Sequence, residues 1–371
     1  MALLPDRWRR DPLSGQSSKA PGLVRRTLGR TGVAIPIVGL GGPGKPDLID
    51  AALDRGLVHI NTSPDYENGN QEIMIGATLK GRRRESVLLA TAFSMWKRPK
   101  DQARTYSPQN IIDSLNASLS RLKMNHVDIF YIAGAAGRTT VLHEPFLETM
   151  TALKKSGKTR WIGVTAHQSE AEVLRASVDA RIYDVVLTAY NFRKLYKDEI
   201  KAAIRTAAVA GVGIIAMKTQ AGVYWDQDRK EMIDMKAALK WVLQDENVHS
   251  AVPAFSSLEQ LSEGVSVMTD LKLTPAEKAA LRLGDDPLPS GLFCQACQDC
   301  LSQCGGDIDI PTFMRSYMYK HGYDRPRQAL EHVQHVDFSR VPCLDCSSCR
   351  VRCRIGADVK ARILDVMATQ P

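Results

Sequence analysis

From residue 30 onward, short apolar runs alternate with amphipathic stretches. The runs at 35–40, 58–61, 87–91, 127–132, 161–164, 185–188, 213–217 and 250–253 have strand length and are rich in Val, Ile and Leu. Between them, 46–55, 71–80, 108–122, 146–155, 169–177, 197–208 and 232–244 place apolar residues three and four positions apart, as in Ile111, Leu115, Leu119 and Leu122. That spacing puts them on one face of a helix. Gly56, Gly81 and Gly157 stand where helices would stop. Strands that alternate with helices through short loops predict a parallel sheet with helices outside. Eight such units within about 260 residues fit an α/β fold of the (β/α)8 TIM-barrel type better than an open doubly wound sheet.

The composition changes this picture little. In 371 residues, 44% hydrophobic and 24% charged is an ordinary globular balance, which excludes a disordered or fibrous chain. The longest apolar run, 207–217, is too short to cross a bilayer, so no transmembrane segment is expected. The net charge of +8 permits an acidic partner but does not point to nucleic acid.

The cysteines divide the chain. All eight lie between Cys294 and Cys353. The expected organisation is a basic N-terminal arm over 1–29, a barrel over 30–288 and a small cysteine-rich domain over 289–371. The first thirty residues hold seven Lys or Arg against Asp6 and Asp11, punctuated by Pro5, Pro12 and Pro21. This composition suits an irregular arm, either solvated or serving as a tether to a redox partner. Arg9-Arg10-Asp11-Pro12-Leu13 has the look of a twin-arginine export signal, but no apolar core follows it, so a cytoplasmic protein is expected.

Gly39-Leu40-Gly41-Gly42-Pro43-Gly44 satisfies the G-x-G-x-x-G spacing of a dinucleotide loop. Pro43 would disturb a helix start wrapped around a pyrophosphate, and no acid is clearly placed after the second strand. A dinucleotide-binding fingerprint is therefore not expected here.

The tail carries the stronger signal. Cys294, Cys297, Cys300 and Cys304 repeat the C-x₂-C-x₂-C-x₃-C spacing of Cys343, Cys346, Cys349 and Cys353. Three thiolates from one tight loop suit a [4Fe–4S] cube, and in two-cluster proteins the fourth cysteine serves the other cluster. Two [4Fe–4S] clusters are expected, one on Cys294, Cys297, Cys300 and Cys353 and one on Cys343, Cys346, Cys349 and Cys304. Zinc modules separate their knuckles more widely, and a disulfide framework needs secretion. The proline usual after the fourth cysteine is replaced by Gly305 and Arg354. Asp309-Ile310-Pro311 and Ala357-Asp358-Val359 read as matched helix starts after the two runs. Arg350, Arg352 and Arg354 crowd the second run, where positive charge would favour a reduced cluster.

The segments Arg26-Thr-Leu-Gly-Arg-Thr-Gly32, Asn61-Thr-Ser-Pro-Asp-Tyr66, Ile162-Gly-Val-Thr-Ala-His167 and Pro253-Ala-Phe-Ser-Ser-Leu-Glu-Gln260 resemble aldo-keto reductases in order and spacing. The cysteine tail resembles the branch of that family with a C-terminal ferredoxin-like extension. The resemblance implies nicotinamide-dependent carbonyl chemistry by an Asp, Tyr, Lys and His tetrad. The matching positions here are Asn61, Tyr66, Ala92 and Ala133, so only the tyrosine survives. Asparagine at 61 with alanine at 92 removes a whole ion pair and avoids leaving one buried charge uncompensated. Tyr66, without a lysine beside it, is a poor acid at neutral pH and becomes a vestigial catalytic residue. Asp65 and Lys97 are the nearest substitutes in sequence.

The positions that hold nicotinamide in the family read Thr165, Ala166 and Leu187, and those that meet the adenosine end read Ala254, Gln260 and Gly264. NAD(P) binding stays open, with Lys218, Ser256 and Ser257 as the remaining candidates for a phosphate. His167 is placed at the barrel mouth and His59 in the core. The expected function is that of an electron-transfer iron–sulfur subunit of a redox complex, its barrel no longer an ordinary NAD(P)H-dependent carbonyl reductase. The alternative is an iron–sulfur oxidoreductase acting on a small molecule at the barrel mouth.

Overall fold

The computed structural model describes residues 22–95, 106–285, 291–305, 308–334 and 336–369. The chain opens with a hairpin of strands β1 (Arg25–Thr27) and β2 (Ala34–Pro36). Eight parallel strands follow: β3 (Leu40–Gly41), β4 (His59–Asn61), β5 (Leu88–Ser94), β6 (Val127–Ala135), β7 (Thr159–Ala166), β8 (Val185–Ala189), β9 (Gly213–Met217) and β10 (Ser250–Ala251). Each pairs with the next in sequence. A parallel bridge between Val38 and Ala251 joins the two ends of the sheet. Gly39 and Gly41 donate to the carbonyls of Ala251 and Pro253 at 2.8 and 2.9 Å. The expected (β/α)8 barrel is thus the fold.

Helices cover the outside of the sheet. Pro108–Leu122 is representative: the Ser107 hydroxyl accepts from Asn110 N, Pro108 presets the first turn, and Ile111, Leu115, Leu119 and Leu122 face the strands. The helix ends at Lys123, whose left-handed backbone turns the chain toward β6.

The expected single strand over 35–40 divides between β2 and β3. An apolar run cannot distinguish a hairpin arm from a barrel strand, and here Pro36 marks the break. Residues 25–29 belong to the barrel rather than to an irregular arm. Leu28 is fully buried among Val33, Ile35, Val58, Leu88 and Ile129, closing the barrel floor. Burying such a leucine contributes about 1.5–3 kcal/mol. The Arg26 guanidinium donates to the carbonyls of Leu243 (2.7 Å) and Asp245 (3.0 Å), at the end of the helix Met235–Leu243. Arg7, Arg9, Arg10 and the rest of 1–21 lie outside the described residues.

The glycines at 39–44 are explained by crowding where the barrel closes. A Cβ on Gly41 would meet the Val252 carbonyl oxygen at 2.3 Å, and one on Gly39 the His59 carbonyl oxygen at 2.8 Å.

After residue 290 the chain forms the short helix Asp299–Gln303 and then Ile310–His321, Pro326–Val333 and Val359–Met367. These pack a small core of their own around Ile310, Phe313, Val341, Val351, Ile363 and Val366. A second cluster joins this segment to the barrel through Leu292, Phe293 and Met318 against Phe192, Trp225 and Ala237. The matched helix starts are present: the Asp309 side chain accepts from Thr312 N and the Asp358 side chain from Ala361 N.

Candidate functional site at the barrel mouth and the cysteine runs

The C-terminal ends of the parallel strands form the barrel mouth, where loops carry function in this architecture. Asn61 ends β4 and is buried, and Ala92 and Ala133 lie near the ends of β5 and β6. Tyr66 stands in the turn after β4 with its ring against the backbone of Gly42, where a Cβ would meet the ring at 3.2 Å. Burial raises its phenol above the ordinary tyrosine range, and the neighbouring Tyr319 and Asp65 add to the rise. Asp65 accepts from the Ser94 hydroxyl. Lys97 lies outside the described residues.

His167 follows β7 at the mouth, as expected. Burial first, then the charges of Lys218, Arg315, His332 and Lys194, hold it well below the ordinary histidine value. Its ring is therefore neutral at pH 7. His59 is fully buried, and burial takes it down to about 4 against the opposing pull of Asp128.

Lys218 follows β9 with a left-handed backbone, φ +56°, and its carbonyl accepts from the Asn191 side chain at 3.0 Å. Its ammonium donates to the Tyr319 hydroxyl at 2.7 Å. Burial alone would raise Tyr319, but the charge and hydrogen bond of Lys218, with Arg315 and Arg325, bring this phenol below the ordinary tyrosine value. Ser256 bonds Gln260, through both its N–H and its hydroxyl at 2.9 Å, and Ser257 caps the helix Leu258–Val267. The two serines are therefore engaged in the start of that helix.

The tail sits on this mouth. The Gln295 amide donates to the Arg193 carbonyl at 2.9 Å, and its own carbonyl accepts from Lys194 (2.8 Å) and the Tyr196 hydroxyl (2.6 Å). Gln298 donates to the Ser169 hydroxyl at 2.7 Å. The loop of the first cysteine run is thereby pinned to the loops after β7 and β8.

The cysteines gather as two groups that cross between the runs. Cys294, Cys297, Cys300 and Cys353 line one recess with Ile310, Met314 and Val359. Burial and the neighbouring Cys294 and Cys297 push the Cys300 thiol up to about 12, with Cys353 adding to the rise. Cys343 is raised by burial and by Cys304, Cys349 and Cys346. All eight are free thiols. Among the described residues no three or more His, Cys, Asp or Glu side chains form a site for a single metal ion. In the second group Cys346 is exposed, as is Leu344, while Cys343 is buried; the first group is half-buried, with Cys294 near Lys194 and Cys294 and Cys297 near Tyr196 of the barrel.

Arg350, Arg352 and Arg354 are all exposed, and Arg354 pairs with Asp299 at 3.0 Å. The buried cation near the first group is Arg362, which feels both Cys353 and Cys294 and lies over the Tyr317 ring. Sequence reasoning missed Arg362, Tyr319, Arg315 and Gln295. Only Gln295, set inside the cysteine run, carried any signal.

The sequence profile of the Aldo/keto reductase family matches residues 45–237. Among solved structures, the holo form of aldo-keto reductase AKR11C1 from Bacillus halodurans superposes with a TM-score of 0.59 at 18% identity, covering 74% of this chain and 99% of that one. An aldo-keto reductase from Klebsiella pneumoniae, solved in complex with NADPH, superposes with a TM-score of 0.55 at 20% identity, covering 74% of this chain and 98% of that one. At these identities the likeness concerns the fold. No helix among the described residues is long and apolar enough to cross a membrane.

Proposed function

The chain belongs to the aldo/keto reductase family, and from that premise we propose that it is an iron–sulfur electron-transfer subunit of a larger redox assembly, its barrel having given up hydride transfer. The observation that carries this is the crossed grouping of the cysteines, three from one run with the last of the other. That donor set fits two [4Fe–4S] clusters. Arg362 supports the fit: it is buried, and its Nη1 has no hydrogen-bond partner among the described residues, as suits a cation facing an anionic group. When bound, such clusters carry single electrons. The chain's own residues set their surroundings, with Cys294 and Cys297 near Lys194 and Tyr196 of the barrel and Cys346, like Leu344, exposed at the surface, where a protein partner can approach. Eight unpaired thiols suit a reducing, cytoplasmic compartment.

The family's nicotinamide cofactor does not fit as well. The Phe255 ring fills the space over Gly264, where a Cβ would meet it at 2.3 Å. Lys218 is held by Tyr319, and the Thr165 hydroxyl is occupied by Gly134 N at 3.0 Å. With Asn61, Ala92 and Ala133 in place of the tetrad's charged groups, proton donation by Tyr66 has no support, and its raised phenol agrees.

Iron and acid-labile sulfide analysis of anaerobically purified protein, with electron paramagnetic resonance after reduction, tests the proposal. The expected content is about eight irons per chain. About four irons, or stoichiometric zinc, would overturn it.

A further inference from the structure

Among the cations of the tail, Arg362 is placed unlike those at the surface. It is the fourth residue of the helix Val359–Met367 and only 4% exposed. A buried cation is ordinarily paired, because leaving one charge alone in a poorly solvated place is costly. Arg362 nevertheless forms no ion pair among the described residues, and its Nη1 has no hydrogen-bond partner there. The side chain is fixed all the same. Its Nη2 donates to the Gly291 carbonyl at 2.9 Å, and the guanidinium lies over the Tyr317 ring, 4.9 Å from its centre. The ionisable groups that act on it are Tyr317, Cys353 and Cys294, then Asp358. Asp358 is exposed and caps its own helix at Ala361 N. Val359, one turn before Arg362 on that helix, lines the recess of Cys294, Cys297, Cys300 and Cys353.

The other cations near the two groups are paired, hydrogen-bonded or in water. Lys194, near Cys294, is neutralised by Glu170 at 2.7 Å. Arg315, also near Cys294, donates to the Thr312 hydroxyl at 2.8 Å. In the second run Arg350, Arg352 and Arg354 are exposed, and Lys360 donates to the Cys346 carbonyl. Salt screens charges in water over about 8–10 Å and buried charges far less. The arginines that the sequence offers for tuning the second cluster are therefore the weaker ones.

We propose that Arg362 is the fixed counter-charge of the [4Fe–4S] cluster on Cys294, Cys297, Cys300 and Cys353, and that it raises this cluster's potential so that an electron entering at the exposed second group comes to rest in the half-buried first. Reduction adds negative charge to a group that four thiolates already make anionic, so a buried cation favours the reduced form. The step moves one electron. A one-electron donor protein reduces the second cluster, and that cluster is reoxidised as the first is reduced, with no bond broken. The inference rests on the iron–sulfur reading above.

Potentiometric titration of the full-length protein under argon, followed by electron paramagnetic resonance, tests it, with the two signals assigned through Cys353→Ser and Cys304→Ser. In wild-type protein the first cluster should reduce before the second. Arg362→Met should lower the first cluster's reduction equilibrium at least about tenfold, about 59 mV for one electron, and leave the second unmoved. Arg362→Lys, which keeps the charge, should recover most of that shift, and Arg350→Met should move neither cluster by as much. Wild-type protein supplies a measurement that needs no variant to fold: between low and about 0.5 M salt the first potential should move less than the second. A first cluster that is as salt-sensitive as the second, or is reduced after it, overturns the inference. So does full iron content with an unchanged potential in Arg362→Met, or equal shifts in Arg362→Met and Arg362→Lys, which would make the role one of packing. Each of those results leaves the electron-transfer proposal standing, whereas wild-type protein without iron refutes both.

Discussion

Lys194 and Glu170 form a buried ion pair at 2.7 Å, and the same ammonium donates to the Gln295 carbonyl in the first cysteine run. One cation therefore ties the loop after β8, the start of the helix Glu170–Ala180 and the tail together. Removing one partner of a buried pair leaves the other charge uncompensated, at about 3–5 kcal/mol. Lys194→Met should lower the thermal midpoint markedly and speed proteolytic separation of tail from barrel. Lys194→Met with Glu170→Gln should recover part of the loss, because no lone carboxylate remains. Equal midpoints for the single and double variants would show that the pair is not the seat of the tail.

The crossed grouping makes a specific prediction about the two fourth cysteines. Cys353→Ser should disturb the group near the barrel that contains Cys294, and Cys304→Ser the group that contains Cys343. Each variant should lose about half of the iron and one of two paramagnetic signals, a different one in each case. If Cys304→Ser removed the signal assigned through Cys294→Ser, each run would serve its own cluster.

Much of this was legible in the sequence, for reasons that differ by position. The helix Pro108–Leu122 announces itself by Ser107, Pro108 and its apolar spacing, all local signals. The cysteine groups are legible because cluster ligation imposes close spacing. Tyr319 is not legible, since its partner Lys218 lies 101 residues away and nothing around it has a motif. Lys218 stands out as a cation at the mouth, but its local sequence suggests a phosphate rather than a tyrosine. The hairpin at 25–36 is hidden by the basic composition around it; Arg26 reads as part of a charged arm, yet its guanidinium caps a helix 217 residues further along.

Isolated protein should show no appreciable NAD(P)H-dependent reduction of simple aldehydes. Losing general acid catalysis alone costs about 10²–10⁴-fold in rate, and Asn61, Ala92 and Ala133 stand where three of the four groups would be. Tyr66→Phe should accordingly change neither this rate nor the thermal midpoint by a large amount. Oxidation of NADPH at 340 nm with a panel of aldehydes checks both; turnover that fell on Tyr66→Phe would restore the tyrosine to a catalytic role.

His59 links stability to pH. It is fully buried, neither ring nitrogen has a hydrogen-bond partner among the described residues, and its value is lowered from 6.5 to about 4. The unfolded chain therefore binds a proton that the folded chain refuses between about pH 6.5 and 4. Stability from this group is full above about 6.5 and falls with pH across that window, by about 3 kcal/mol in total. His59→Leu, which cannot take up the proton, should have a smaller fall in thermal midpoint between pH 7 and pH 5 than the native protein. Parallel curves for the two would place the acid sensitivity elsewhere.

The assembly itself is tested through charge. Residues 1–21 supply Arg7, Arg9, Arg10 and Lys19 against Asp6 and Asp11, and lie outside the described residues. The structured barrel begins with the hairpin, and Val24 N already donates to the Met268 carbonyl, so a deletion that ends at 21 spares the floor. A basic segment held to an acidic partner acts through charges that salt screens over about 8–10 Å. Pull-down from the native host, done anaerobically with the full chain and with the deletion, should recover a redox protein in both cases at low salt. At about 0.3 M salt the deletion should lose it first, while iron content stays the same in both. Equal retention across the salt series would remove the segment from the interface and leave the surface around Leu344 and Cys346 as the contact; recovery of no redox protein at any salt would count against the assembly as a whole.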